Sequence, residues 1–226
     1  MFIGHFAPAL IARGLTEEAP KLGTLFVAAQ LVDWGFFTFA IFGIESMRIV
    51  PGITAMNPMD LYHMPYTHSL LGSAVWALAF AAVIWMVTRN TIAATWGAIV
   101  VVSHWLLDLL VHRPDLTLAG GEEKFGFGLW NSPLIEMPLE IGLTLAAFWF
   151  YTSRTKGPII PPLILLAVML LFQSINWFGP QPTEAGVGMY LTSLASYAVM
   201  TALAFWVGST RWHRNEVGLG VASPRL

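Results

Sequence analysis

The sequence contains no cysteine, which excludes a disulfide framework, a thiolate metal site and a cysteine nucleophile. Charge is scarce as well: Lys, Arg, Asp and Glu make up 11% of the 226 residues, against about 25% in an ordinary soluble domain. The formal net charge of −2 provides no basic field that would attract nucleic acid. These absences argue against a water-exposed globule and against a nucleic-acid partner.

Apolar residues take the place of the missing charge. Hydrophobic residues make up 56% of the chain and aromatic residues 13%, and the mean hydropathy is +0.66. A disordered chain would have far fewer aromatic residues, and a soluble domain would need far more polar surface. The composition therefore predicts an integral membrane protein that forms one domain over residues 1–226, with a polar tail at about 211–226.

Six apolar runs are long enough to cross a bilayer, which takes about 20 helical residues. They are continuously apolar and do not alternate as barrel strands would, so the predicted fold is all-α. Residues 2–13 are apolar but too short to span, and we expect them to form a short re-entrant or interfacial helix. The six predicted transmembrane helices cover residues 22–44, 67–87, 91–111, 132–151, 158–178 and 188–207.

The cations indicate how these helices are oriented. Arg48, Arg113 and Lys124 fall in loops on one side, and the other eight of the 11 cations fall on the side of the two chain ends. The positive-inside rule then places both ends in the cytoplasm. We also expect His213, among the arginines that follow the last span, to lie in a solvated flank.

Histidines and acids within the predicted spans are the strongest functional signal, because such groups are costly in a membrane unless they are paired or bound. Asp33 lies near the middle of the first span, and His68 is at the start of the second. His104, Asp108 and His112 recur at every fourth residue of the third span and so share one helix face. The predicted topology brings these residues to the same region of the membrane.

Three more ionisable residues reach this region. Glu136 and Glu140 lie four residues apart near the start of the fourth span, where pairing with a cation of the outer loops is a structural alternative. His5 lies in the apolar N-terminal segment. If this segment folds back from the polar turn at residues 13–21, a rise of about 1.5 Å per residue brings His5 to the level of Asp33.

Imidazole and carboxylate ligands together suit zinc, with manganese or iron as alternatives where carboxylates are more numerous. One or two divalent ions are compatible with the number of candidate ligands. A bound metal would lower the pKa of water toward about 7 and so supply a hydroxide nucleophile. Glu140 and Asp115 are candidates for a general base or for a carboxylate that hydrogen-bonds and orients a metal-binding histidine. His63, in a loop after Asp60, has either a catalytic role or a place in a surface ion pair.

Four short motifs in the first half of the chain resemble those of the bacterial membrane-bound metal-dependent hydrolases, the YdjM-like, LexA-regulated inner-membrane hydrolases. The motifs are the pair Gly4-His5, the sequence QLVD ending at Asp33, the sequence HMPYTHS beginning at His63, and the sequence SHWLLD ending at Asp108. The resemblance implies a hydrolase of the bacterial inner membrane. Its implied metal ligands are His5, Asp33, His68, His104 and Asp108.

The chain also departs from this family's pattern. A family motif with two acids and a histidine is reduced to Asp33, which is followed by Trp34-Gly35, and an Arg-Gly pair is replaced by Met64-Pro65. The missing acid bears against a second metal, unless the extension His112-Arg113-Pro114-Asp115 restores a ligand or a cation. The missing arginine bears against a phosphate-bearing substrate.

The leading hypothesis is a membrane-embedded metal-dependent hydrolase whose pocket opens toward the outer leaflet. Its substrate would be a lipid or another amphiphile with an ester, amide or phosphoester bond. An alternative is a structural or accessory subunit of a larger membrane complex that keeps a vestigial metal site. Two further alternatives are a haem or chlorophyll protein with His68 and His104 as axial ligands, and a proton- or ion-coupled transporter.

Overall fold

Apolar α-helices dominate the computed structural model, which describes residues 1–214. Five helices are long and apolar enough to cross a membrane, and a bent pair of shorter helices makes a sixth crossing if it is counted as one span. The prediction of an all-α, multi-span membrane protein is confirmed. From residue 215 onward, the predicted polar tail lies outside the described residues. The helices are α1 (Ala7–Leu15), α2 (Leu22–Ala29), α3 (Leu31–Ile41), α4 (Leu70–Thr88), α5 (Thr91–Val111), α6 (Pro133–Arg154), α7 (Ile160–Phe178) and α8 (Val187–Thr210).

The N-terminal segment folds back among the other helices, as the sequence predicted. A 3₁₀ helix at Ile3–Phe6 leads into α1, which packs along α6. The close approach requires a small residue, because a Cβ atom on Gly14 would lie 2.9 Å from the ring of Phe150. After the turn, α2 returns along α8, where Gly23 lies directly against the ring of Phe205. This hairpin of short helices carries His5 into the interior.

The first predicted span is interrupted. Helices α2 and α3 meet at Gln30 with a bend of 52°. The break places Asp33 in the first turn of α3 rather than in the middle of a continuous helix. The free N–H groups and positive dipole end of a helix favour a carboxylate at this position.

Helix α4 begins slightly later than the sequence predicted. Ser69 is its N-cap, and the Ser69 hydroxyl accepts a hydrogen bond from the amide of Gly72. His68 therefore lies at the end of the turn that precedes the helix, where its amide donates a hydrogen bond to the carbonyl oxygen of Met64. Only Arg89 and Asn90 connect α4 to α5, and Asn90 is the N-cap of α5. Helix α5 therefore runs antiparallel to α4, and its C-terminal half lies beside His68.

Two short antiparallel strand pairs close the ends of the bundle. Strands β1 (Ser46–Ile49) and β2 (Met59–His63) form a hairpin between α3 and α4. At the other end, β3 (Thr155–Lys156) pairs with β4 (Trp212–His213). The prediction that His213 lies in a solvated flank is wrong, because this pairing buries its ring with Nε2 3.0 Å from the carbonyl oxygen of Gly14.

Candidate metal centre

The five residues predicted as metal ligands come together inside the bundle. His5 comes from the N-terminal 3₁₀ helix, Asp33 from the first turn of α3, His68 from the segment before α4, and His104 and Asp108 from α5. All are buried except Asp33, which is partly exposed. Two groups of three have one ligand atom each within 4.8 Å of the others, and both groups can hold a metal ion: His5, His104 and Asp108, and Asp33, His68 and His104.

The Asp108 carboxylate lies at the centre of this cluster. Its Oδ1 is 3.0 Å from Nε2 of His5, and its Oδ2 is 3.1 Å from Nε2 of His104 and 3.7 Å from Nε2 of His68. Asp33 Oδ1 is 3.3 Å from His68 Nε2 and 3.6 Å from His104 Nε2. Three imidazole nitrogens and two carboxylates from four segments of the chain therefore converge on one small volume.

These short contacts are not hydrogen bonds. Nε2 of His5, Nε2 of His104 and Oδ2 of Asp108 are buried and have no hydrogen-bond partner within residues 1–214. Buried polar atoms in folded proteins almost always have a partner. Atoms that approach to about 3 Å without hydrogen-bond geometry are arranged as ligands of a common ion are, so this donor set fits a divalent cation.

The other ring nitrogen of His104 fixes its tautomer. Nδ1 of His104 lies 2.8 Å from the carbonyl oxygen of Ala29, the last residue of α2. A carbonyl oxygen only accepts, so Nδ1 must carry the hydrogen and donate it. In the neutral ring, Nε2 is then left with its lone pair toward Asp108, as a metal ligand requires.

A hydrogen-bonded chain orients His68 in the same way. The Thr67 hydroxyl lies 2.6 Å from Oε2 of Glu45 and 2.9 Å from Nδ1 of His68. An ionised carboxylate only accepts, so the hydroxyl donates its one hydrogen to Glu45 and accepts from His68 Nδ1. Glu45 is itself held by the backbone amides of Tyr66 and Thr67. The lone pair of His68 Nε2 therefore also faces the cluster.

His112 belongs to the cluster, although the sequence analysis did not assign it as a ligand. Its Nε2 is 3.4 Å from Asp108 Oδ1, and its Nδ1 is 2.8 Å from Asp115 Oδ1. Asp115, predicted as a candidate base, is thus the carboxylate that orients His112. The position of His112 on the same helix stripe as His104 and Asp108 was the signal that could have identified it.

The arginines of the outer loops pair with acids other than Glu136 and Glu140, and Lys124 donates to the backbone oxygen of Asp115. Arg48 Nε lies 2.6 Å from Asp60 Oδ2, and Arg113 contacts the other oxygen of Asp60. Arg113 Nε is also 3.5 Å from Asp115 Oδ2. This chain of contacts ties the β1–β2 hairpin to the residue that orients His112.

Glu140 supports the segment that carries His5. Its Oε1 accepts hydrogen bonds from the amides of Phe2 (2.6 Å) and Gly4 (3.0 Å), and its Oε2 accepts one from Gln173 Nε2 (3.1 Å). The amides are free to donate because they begin a 3₁₀ helix. Both Glu140 oxygens are thus engaged, whereas Oε2 of the neighbouring Glu136 is buried and has no partner in the described part of the chain.

His63, the remaining predicted catalytic residue, lies outside the cluster. It is exposed at the end of β2 and lines a separate cavity of about 170 Å³ together with Asp115 and Lys124. Asp115 therefore lies between this small cavity and the cluster. His63 therefore lies near Asp115, which orients His112, and away from the Nε2 atoms that converge on Asp108.

A larger cavity of about 500 Å³ adjoins the cluster. His5, Asp33, His68, Asp108 and His112 form part of its wall, and the rest is mostly apolar. The volume lies within the range of about 300–1,000 Å³ that is usual for small-molecule sites. Its apolar walls come from α3, the β1–β2 hairpin, α7 and α8: Phe36, Phe37, Met56, Met59, Leu61, Phe172, Ile175, Trp177, Met189 and Val199.

Comparison with known proteins returned no match for this chain among protein-family models, curated proteins or solved structures. The resemblance to the bacterial inner-membrane hydrolases therefore stays a prediction.

Proposed function

We propose that this protein is a membrane-embedded, metal-dependent hydrolase that acts on a lipid or a similar amphiphile. The observation that carries the proposal is the convergence of imidazole Nε2 atoms on Asp108 without hydrogen bonds. The rings of His68, His104 and His112 each have Nδ1 occupied by an oxygen on the far side. This pattern of an outward hydrogen bond and an inward lone pair is the usual one for metal-binding histidines.

Zinc suits the proposed ligands best. Neutral imidazoles outnumber carboxylates in the set, and zinc accepts both kinds of ligand at about 2.0–2.2 Å in a compact tetrahedral arrangement. Manganese and iron remain alternatives, because they bind the same ligand types where carboxylates and solvent complete the site.

The arrangement around Asp108 supports one ion or two. Its Oδ1 faces His5 and His112 and accepts a hydrogen bond from the amino group of Met1 at 3.2 Å, whereas its Oδ2 faces His104 and His68. His104 can serve one ion only, because its Nδ1 already donates to a carbonyl oxygen. If the resemblance holds, His112 is the residue that would take the place of the missing acid on the Oδ1 side.

The chain supplies binding, orientation and a dry environment for the reaction. A bound divalent ion supplies Lewis acidity and lowers the pKa of water. The apolar walls of the cavity bind an acyl chain and exclude bulk water, which strengthens electrostatic interactions at the cluster. Glu45, Asp115 and the carbonyl of Ala29 hold the histidine rings in the orientation that ligation requires.

The position of the cavity agrees with entry from the outer leaflet. Its lining residues come from the β1–β2 hairpin, the start of α6, the end of α7 and the first half of α8, which lie at one end of the bundle. The β3–β4 pair and the turn before α2 lie at the other end, where most cations are found. With the positive-inside rule, the cation-rich end faces the cytoplasm of a bacterial inner membrane.

The proposal is tested by metal analysis of the protein purified in detergent, followed by a hydrolysis assay on membrane lipids. We expect one or two equivalents of zinc, their loss in His104→Ala and Asp108→Asn, and their retention in His63→Ala. We also expect chelator-sensitive release of lipid cleavage products that zinc restores. Wild-type protein that remains metal-free after zinc supplementation would contradict the proposal. Protein that binds zinc but cleaves no lipid would instead support the accessory-subunit alternative.

A further inference from the structure

The polar groups that line the large cavity are mostly hydrogen-bond acceptors. Three hydroxyls of α8 lie in its wall, and each donates its hydrogen to a carbonyl of its own helix: Thr192 to Gly188, Ser193 to Met189, and Ser196 to Ser193. Such back-bonding leaves the hydroxyl oxygens with lone pairs only. The Tyr197 hydroxyl is likewise committed as a donor, to Asp33 Oδ2 at 3.2 Å.

Glu136 adds an acceptor without a partner. Its residue is 1% exposed, it lines the cavity, and its Oε2 makes no hydrogen bond to any described residue. A carboxyl group keeps an accepting oxygen whether or not it is protonated. An unsatisfied buried acceptor is costly, so a donor on a bound ligand would relieve the cost at this position.

Among the described residues, the cavity wall offers no unpaired Lys, Arg or amino group to an anionic head group: the amino group of Met1, which lies at the wall, already donates a hydrogen bond to Asp108 Oδ1 at 3.2 Å. No Lys or Arg lines the cavity within residues 1–214. The three cations predicted for this side are held elsewhere: Arg48 and Arg113 contact Asp60, and Lys124 donates to the backbone oxygen of Asp115 at 3.4 Å. Recognition of phosphate usually relies on Arg or Lys.

We propose that the cavity selects an amphiphile with an uncharged head group that carries hydroxyl or amide N–H donors, such as a monoacylglycerol. The inference rests on the proposed hydrolase for its reaction, but it concerns binding alone. The oxygen atoms of the wall accept hydrogen bonds from the head group. The side-chain amides of Asn57 and Asn176, which also line the cavity, can donate a hydrogen bond to a hydroxyl group and accept one from it. The apolar walls contact the acyl chain. Because no Lys or Arg of the described residues lines the cavity and the Met1 amino group is paired with Asp108, an anionic head group finds no free cation there.

A competition experiment on the purified full chain in detergent tests this selectivity. Radiolabelled monoolein is the reference ligand, and unlabelled monoolein and methyl oleate compete with it. The two share the acyl chain and the ester and differ in the hydroxyl donors. Satisfying a buried acceptor that otherwise has no partner corresponds to about a 10- to 100-fold difference in affinity, so we expect monoolein to compete at least about tenfold better. Equal competition, or no binding of either, would overturn the proposal.

Head-group charge is tested with oleoyl lysophosphatidic acid, in chelator-treated protein so that the phosphate cannot bind an ion. We expect it to compete at least about tenfold less well than monoolein because of repulsion by the wall carboxylates. Competition equal to that of monoolein would contradict the exclusion of anions. These measurements require no turnover. A result against the head-group preference would therefore leave the proposed zinc binding and hydrolysis untouched, and a result against zinc binding or hydrolysis would leave the head-group preference untouched.

Variants of Glu136 separate recognition from folding. Glu136→Leu should bring the affinities for monoolein and methyl oleate to within about threefold of each other, because a major acceptor is removed. Glu136→Gln keeps an accepting oxygen and should preserve the preference. Glu18→Leu, at an exposed site on the opposite end, is the matched control and should change nothing. If a folded Glu136→Leu protein still prefers monoolein over methyl oleate as strongly as the wild type, Glu136 does not recognise the head group. If this variant does not fold, the competition of the two ligands on the wild-type protein decides the proposal.

Discussion

Replacing Thr67 by valine should weaken zinc binding by about 10- to 100-fold, the usual effect of removing a partner that orients a metal ligand. Valine matches threonine in shape but has no hydroxyl. The change breaks two contacts at once: the 2.6 Å hydrogen bond to Glu45 and the 2.9 Å hydrogen bond from His68 Nδ1. His68 is then free to take the other tautomer, which presents a hydrogen to the metal position.

Thr67→Val should lower the free energy of unfolding only moderately. Oε1 of Glu45 keeps its hydrogen bonds from the amides of Tyr66 and Thr67, so the groups that lose a partner are Glu45 Oε2 and His68 Nδ1. An unsatisfied buried acceptor costs about 1–3 kcal/mol. We therefore expect a measurable decrease in melting temperature but an unchanged helical circular dichroism spectrum and an unchanged elution volume.

Zinc affinity is measured by competition with a fluorescent chelator for the wild type, Thr67→Val and Thr67→Ser. Serine keeps the hydroxyl and should restore zinc affinity to within about threefold of the wild type, since both hydrogen bonds can re-form. Thr67→Val protein that folds and binds zinc as tightly as the wild type would refute the inference that Glu45 and Thr67 set the tautomer of His68.

Two further changes test the site and its frame. Asp115→Ala should lower zinc affinity about tenfold or more by releasing Nδ1 of His112, measured by the same chelator competition; unchanged affinity would remove His112 from the ligand set. Gly14→Ala should destabilise the protein by about 1–3 kcal/mol through overpacking, because its Cβ would meet the Phe150 ring. Gly142→Ala, with open space around its Cβ, is the control, and similar melting temperatures for both variants would contradict the packing of α1 on α6.

Much of the architecture could be predicted from hydropathy, because a membrane restricts a chain to long apolar helices. The spans from α4 to α8 lie close to the predicted ranges for this reason. Asp33, His68, His104 and Asp108 could be singled out because ionisable residues are rare in such helices. His5 could be predicted as a ligand only because the segment of residues 2–13 is too short to cross a membrane and too apolar to lie in water.

Among the groups that orient the ligands, Asp115 could be named from the sequence as a candidate partner of a histidine, but Glu45 and the carbonyl of Ala29 could not, because their contacts depend on tertiary structure. Glu45 reaches Thr67 only after the chain turns between α3 and β1, and the carbonyl of Ala29 is available to His104 only because α2 ends there. The pairing of His112 with Asp115 follows from the turn after α5. No hydropathy pattern encodes any of these contacts.

Local sequence was misleading where distant segments meet. His213 has arginines on both sides and no apolar neighbours except Trp212, which suggested solvent. The pairing of β3 with β4 buries it against α1 instead. The bend at Gln30 is similarly invisible in hydropathy, since α2 and α3 are apolar on both sides of it.

Anomalous diffraction at the zinc absorption edge, from crystals of zinc-supplemented protein, tests the central claim most directly. The account predicts a strong anomalous peak beside the Asp108 carboxylate, within about 2.0–2.2 Å of Nε2 of His104 and of at least one other of the converging histidines. Ordered side chains at His5, His68, His104 and Asp108 with no anomalous peak among them would contradict it.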